Sequence, residues 1–181
     1  MLPAFVCIFV RMESFNQTID GWITALDKYS FGQLCAKPSP DGWSLGQVYM
    51  HLISETTYFL QQVKICSSNN DNAAEAMSPV AKIFFDNNEL PDAIIEGPPT
   101  NAGTPQPPGK EALMQSMLSL KAEFNKAAIL VAANTCKGKT KHPGLHYFNA
   151  EEWLRFADMH LRHHKRQQQR IEQFFKEEWM I

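Results

Sequence analysis

Four stretches of this chain repeat apolar residues at steps of three and four, and no stretch sustains an alternation of apolar and polar residues. That periodicity restricts the fold to helices that bury one stripe each. The first stretch carries Phe15, Ile19, Trp22, Leu26 and Tyr29 and ends before the turn cluster AKPSPDG. The second opens at DGWSLGQ, where Ser44 can cap and Gln47, three residues on, completes a capping box; it continues through Val48, Leu52, Phe59 and Val63 to SSNNDN. The third carries Leu113, Met117, Leu120, Phe124, Ala128 and Val131. The fourth carries Trp153, Ala157, Ile171 and Phe174, with Asn149 as cap and Glu151 and Glu152 against the positive end of its dipole.

The expected fold is therefore all-α, a four-helix bundle. Between the second and third helices, SPVAKIFFDN predicts a short extra helix with Ser78 as cap and Pro79 as its first residue. It is followed by PDAIIEGPPTNAGTPQPPGK, too rich in Pro and Gly for a helix and too long for a turn. This segment should cross one end of the bundle, an arrangement that suits up-down-down-up order. A chain of 181 residues is long enough for one domain with a full core, so residues 12–181 are read as a single bundle. The apolar opening MLPAFVCIFVR lacks the charged start and cleavage site of a signal peptide. Residues 1–11 are read either as an upstream translation start or as a short packed arm.

The formal charge of −2 leaves no basic surplus for phosphates, which argues against nucleic acid as a partner. No run is apolar enough to span a membrane. Cys7, Cys35, Cys66 and Cys136 are scattered, without a Cys-x-x-Cys pair, as expected for small apolar residues in the reducing cytoplasm.

The chemistry is concentrated in ADMHLRHHKRQQQRI. The seam of the fourth helix steps from Trp153 and Ala157 to positions 160, 164 and 167 before returning to Ile171, so two imidazoles and an amide take core places. His160 and His164, four apart, lie about 40° apart around the axis and roughly 6 Å apart along it, within reach of one divalent cation. His163 falls off the seam. One alternative is a solvated face of clustered polar residues. Against it, two buried neutral imidazoles need partners for their ring nitrogens, and a metal with outer acceptors provides them. A third ligand is then expected from a facing helix, and His51, beside the seam residues Val48 and Leu52, is the candidate. Glu55, one turn further, is a fourth ligand, an acceptor for His51 or a polar neighbour, with the ligand role ranked last. It is also the only candidate for a general base.

Two motifs, DGWSLGQVYMHLISE and HPGLHYFNAEEWLRFADMHLRHHKRQ, together resemble the DinB-like, or bacillithiol-transferase-like, superfamily of metal-binding four-helix bundles. They match its Trp-Ser helix start followed by a ligand His, its His-Pro loop, its Glu-Trp helix start and its final His-x-x-x-His. The resemblance runs over residues 15–175. It implies His51, His160 and His164 as a metal triad, with Gln167 fitting the tail. Gly144 follows Pro143 directly, where the family has its Gly a few residues later, and His142 and His146 are read as loop residues bonded to backbone rather than ligands.

Members of that superfamily transfer or open thiol adducts, isomerise small acids with a thiol cofactor, or have no known reaction. The leading expectation is a metal-dependent thiol S-transferase or related hydrolase acting on a small molecule, with one divalent ion (nickel, zinc or iron) and a low-molecular-weight thiol as cofactors. Trp43, Tyr49, Tyr58 and Phe59 are the aromatic candidates for a pocket wall or for core. A second reading is a metal- or small-ligand-binding module without turnover. A third is an interaction protein using the C-terminal FFKEEWMI, an end that folds back or mediates a homodimer.

Overall fold

The computed structural model describes residues 4–93 and 103–179. It contains helices α1 (Ala4–Leu26), α2 (Phe31–Cys35), α3 (Leu45–Cys66), α4 (Pro79–Asn87), α5 (Lys110–Ala133) and α6 (Ala150–Trp179), and strands β1 (Lys139–His142) and β2 (His146–Asn149). The four long helices are α1, α3, α5 and α6. Two sequence signals fixed helix starts as expected. At α3, Ser44 accepts from the Gln47 N–H while the Gln47 side chain accepts from the Ser44 N–H. At α4, Ser78 caps and Pro79 occupies the first turn. Asn149 and Glu152 form the same reciprocal pair at the start of α6.

The directions of the helices follow from their contacts. Ser14 and Thr18 donate to Asp158, and Tyr29 meets Gln168, so α1 and α6 run parallel. His51 meets His160 and Phe59 meets Trp153, so α3 and α6 run antiparallel. Phe15 stacks on Phe124 while Asp20 pairs with Lys121, which makes α5 antiparallel to α1. The order is up, down, down, up.

The core is an apolar interior built from Phe15, Ile19, Trp22, Tyr49, Leu52, Phe124, Trp153 and Ala157, each essentially fully buried. The Tyr49 hydroxyl donates to the Trp22 carbonyl at 2.7 Å and the Trp22 indole donates to the Leu161 carbonyl at 3.2 Å. These two bonds tie α3, α1 and α6 together at the level of the histidines. Tyr49 is thus core, and a pocket wall is excluded for it.

Several features were not legible. Tyr29 lies beyond the end of α1, and the turn after it forms the short helix α2, capped by Ser30. The hairpin β1–β2 has four-residue strands, too short for an alternation to register. Near the end of α6 the buried ring is Phe175 rather than Phe174, because a straight helix drifts about 20° per heptad away from a strict seven-residue count. The basic cluster on α6 is not a solvated face. Arg155 donates to the Phe85 carbonyl at 2.6 Å, Arg162 to the Asn88 carbonyl at 2.9 Å and Arg166 to the Leu90 carbonyl at 3.3 Å. These three bonds fasten α4 and its following turn onto α6.

The described end of the Pro-rich segment crosses the start of α3 as expected. Gln47 donates to the Thr104 carbonyl at 2.6 Å, and Ser44 bonds Gln106 at 2.8 Å. Gly46 permits this approach, since a Cβ there would stand 2.7 Å from both the Leu34 carbonyl oxygen and the Pro107 ring. Residues 94–102 of that segment lie outside the described residues, as do Met180 and Ile181 of the C-terminal patch and residues 1–3 of the N-terminal arm. Residues 4–11 are the first turns of α1, with Ile8 buried and Arg11 paired with Glu151. Among the described residues no helix is long and apolar enough to cross a membrane.

Candidate metal centre

The i, i+4 spacing on α6 sets His160 and His164 on one face, and the antiparallel packing of α3 brings His51 up to them. The Nε2 atoms of His51 and His160 are 3.2 Å apart, as are those of His164 and His160. All three ligand atoms lie within 4.8 Å of one another. Nitrogens bound to one tetrahedral ion at 2.0–2.1 Å would stand about 3.4 Å apart, a spacing close to that of the two nearer pairs.

The electrostatics agree. Burial pushes His51 down to about 4 and His164 down to about 3, and it holds His160 well below the ordinary histidine range, with the neighbouring imidazoles adding to the effect. At neutral pH all three rings are uncharged and can offer lone pairs. The His164 Nδ1 lies 2.8 Å from the Gln167 side-chain oxygen. An amide oxygen only accepts, so the proton is on Nδ1 and the lone pair on Nε2. The His160 Nδ1 is buried without a hydrogen-bond partner. The three rings converge between α3 and α6 as a set of neutral imidazole donors. The residues fit a divalent ion.

A family model for the DinB superfamily matches residues 14–168. The chain belongs to the DinB superfamily. No curated protein and no solved structure matches it. In this DinB-superfamily member the matched region includes all three histidines of the cluster and Gln167.

Aromatic rings enclose the histidines. The Trp43 ring lies 5.0 Å from His51, and Phe59 lies 5.5 Å from His160. Phe156, which sequence periodicity did not single out, lies 6.4 Å from His160. Tyr58 is exposed and meets Trp153 rather than a histidine. Glu55 does not join the converging group; it is partly buried one turn beyond His51, and burial raises its carboxyl above the usual range.

His163 stays out of the cluster, as its place off the seam requires. It is half-buried, with its ring 5.3 Å from that of His164 and its pKa lowered by burial and by Arg166. His142 accepts from the Gly144 N–H at 3.1 Å, the expected backbone bond, but does so from strand β1. Its ring packs among Phe148, Trp153 and Phe156, where burial lowers it to about 4. His146 opens β2 in the left-handed region with φ 65°.

Proposed function

We propose that this chain is a divalent-metal-dependent enzyme of the DinB superfamily that activates a small thiol or a water molecule, as a thiol S-transferase or related hydrolase does. His51, His160 and His164 would hold the ion. The observation that carries this reading is the convergence of three uncharged imidazoles, with no fourth ligand in the group among the described residues. Three protein ligands leave coordination positions open for a reactant, whereas structural sites are closed by four. Bound there, a divalent ion supplies Lewis acidity that lowers the pKa of a thiol or water towards neutrality.

The chain's own residues have separate tasks. Gln167 keeps the His164 proton on Nδ1. Trp43 and Phe59 exclude water from the histidine rings. Glu55 takes up the proton of the nucleophile on its carboxylate, a role suited to a carboxyl whose pKa burial has raised. The free thiols of Cys35, Cys66 and Cys136 are in keeping with a reducing, cytoplasmic address.

One observation favours a metal-binding module without turnover, namely that Glu55 stands outside the converging group. The test is elemental analysis of protein purified without a polyhistidine tag. It is followed by assays of thiol transfer and adduct hydrolysis with nickel, zinc or iron restored. Activity that depends on one ion per chain and disappears in Glu55→Gln supports the enzyme. A fully metallated protein inert towards every thiol and hydrolysable adduct overturns it in favour of the module, and a chain that binds no divalent ion overturns both.

A further inference from the structure

Trp43 brings to the histidine cluster a hydrogen-bond donor that no described residue accepts. Its ring lies 5.0 Å from that of His51, tilted by 58°. Indoles packed against a protein interior normally pair their N–H, and two others in this chain do. Trp22 donates to the Leu161 carbonyl at 3.2 Å and Trp153 to the Thr140 hydroxyl at 2.8 Å. The partly buried Trp43 has no such partner among the described residues, and its N–H is not one of the polar atoms sealed in the interior. It is therefore open to whatever enters beside His51.

The residue is held from both sides. Before it, the Gly42 N–H donates to the Ser39 carbonyl at 3.0 Å, closing a turn so tight that a Cβ on Gly42 would stand 2.8 Å from the Ser39 hydroxyl oxygen. After it, Ser44 and Gln47 form the reciprocal cap of α3, and Ser44 also bonds Gln106 at 2.8 Å. A donor fixed in advance by its neighbours loses little ordering entropy when a ligand arrives. The rings of Phe59 and Phe156 against His160 offer no polar atom that could share the task.

We infer that the Trp43 indole N–H is a substrate-recognition group of the histidine centre which, resting on the thiol reading proposed above, donates to an acceptor oxygen near the sulphur of the incoming thiol. The substrate class is then an oxygen-bearing thiol, with a hydroxyl or carbonyl within a few bonds of sulphur, in preference to a hydrocarbon thiol. A thiol without that oxygen would cover the N–H and leave it unpaired, which is how a site built around a donor rejects the analogue lacking an acceptor.

The probes are 2-mercaptoethanol and ethanethiol, which differ by one hydroxyl, titrated into the full-length, zinc-loaded, ¹⁵N-labelled chain. Trp43→Phe keeps a ring beside His51 and removes the donor, and the indole resonance missing from its spectrum assigns the Trp43 N–H. In the parent, 2-mercaptoethanol is expected to shift that resonance and to leave those of Trp22 and Trp153 in place. The preference for 2-mercaptoethanol over ethanethiol should fall by about fivefold in Trp43→Phe, the worth of one neutral hydrogen bond, in a ratio from which the differing acidity of the two thiols cancels. An unmoved Trp43 resonance, an unchanged preference in Trp43→Phe, or loss of zinc from that variant would overturn the recognition role alone. A zinc-loaded chain that binds neither thiol overturns the thiol reading and the recognition role with it, and a chain that takes up no zinc overturns the metal centre as well.

Discussion

The side-chain oxygen of Gln167 lies 2.8 Å from the Nδ1 of His164, three residues earlier in α6. This contact assigns the imidazole proton to Nδ1 and turns Nε2 towards His51 and His160. Outer partners of this kind are worth 10- to 100-fold in metal affinity. Gln167→Leu should therefore weaken divalent-ion binding by about tenfold or more with little change in apo stability. Competition with a chromophoric chelator measures it, and unchanged affinity would remove Gln167 from the site.

The three converging histidines should be separable from their neighbour. His51→Ala, His160→Ala and His164→Ala are each expected to reduce metal content sharply, while His163→Ala keeps it near the parent value. Elemental analysis of untagged protein decides, and equal loss in all four variants would show that His163 belongs to the centre.

Removing the ion should not unfold the chain, because the core of Trp22, Phe124, Trp153 and their neighbours is complete without it. Adding a divalent ion at about 100 times its Kd should stabilise the fold by about 2.7 kcal/mol. For a chain of this size that is a rise in Tm of about 5–10 °C. Calorimetry with and without chelator checks it, and an apo form without cooperative melting would refute the expectation.

Acid stability should carry the signature of His142. Its folded pKa of about 4 lies below the unfolded value near 6.5, so the unfolded chain binds the extra proton. The contribution is present in full above about 6.5 and is lost progressively as pH falls from there to about 4. His142→Phe, placing an apolar ring among Phe148, Trp153 and Phe156, should flatten that loss. Denaturant melts at pH 7 and pH 4.5 give the comparison; an equal drop in both proteins would rule out His142 as a source.

The caps offer a test of local structure. Ser44 accepts from the Gln47 N–H at 3.1 Å and also bonds Gln106. Ser44→Ala should cost about 1–2 kcal/mol, measured as a shift of the urea midpoint with the slope unchanged. A shift near zero would mean that the loop and cap bonds are replaced by water.

Local rules carried much of this molecule. The spacing of Phe15, Ile19, Trp22 and Leu26, the Ser44 and Gln47 pair and the Ser78-Pro79 start are decided within a few residues, where periodicity and capping act, and α3 and α4 begin where those caps say, although α1 reaches back to Ala4. The inward turn of His160 and His164 was legible for the same reason, since a helix seam is a one-dimensional count. Tertiary packing decided the rest. The 3.2 Å approach of the His51 and His160 nitrogens depends on how α3 docks against α6, and no spacing along one chain segment encodes it. Tyr49 and Trp43, six residues apart, went to core and to the histidines respectively because the Trp22 carbonyl was there to receive one hydroxyl. For Arg162 and Arg166 a solvated charge run was the alternative reading, and the turn after α4 supplied the Asn88 and Leu90 carbonyls that hold them instead. The hairpin around His142 has strands too short for a local signal, and only the packing of Phe148 and Trp153 over that ring sets its environment.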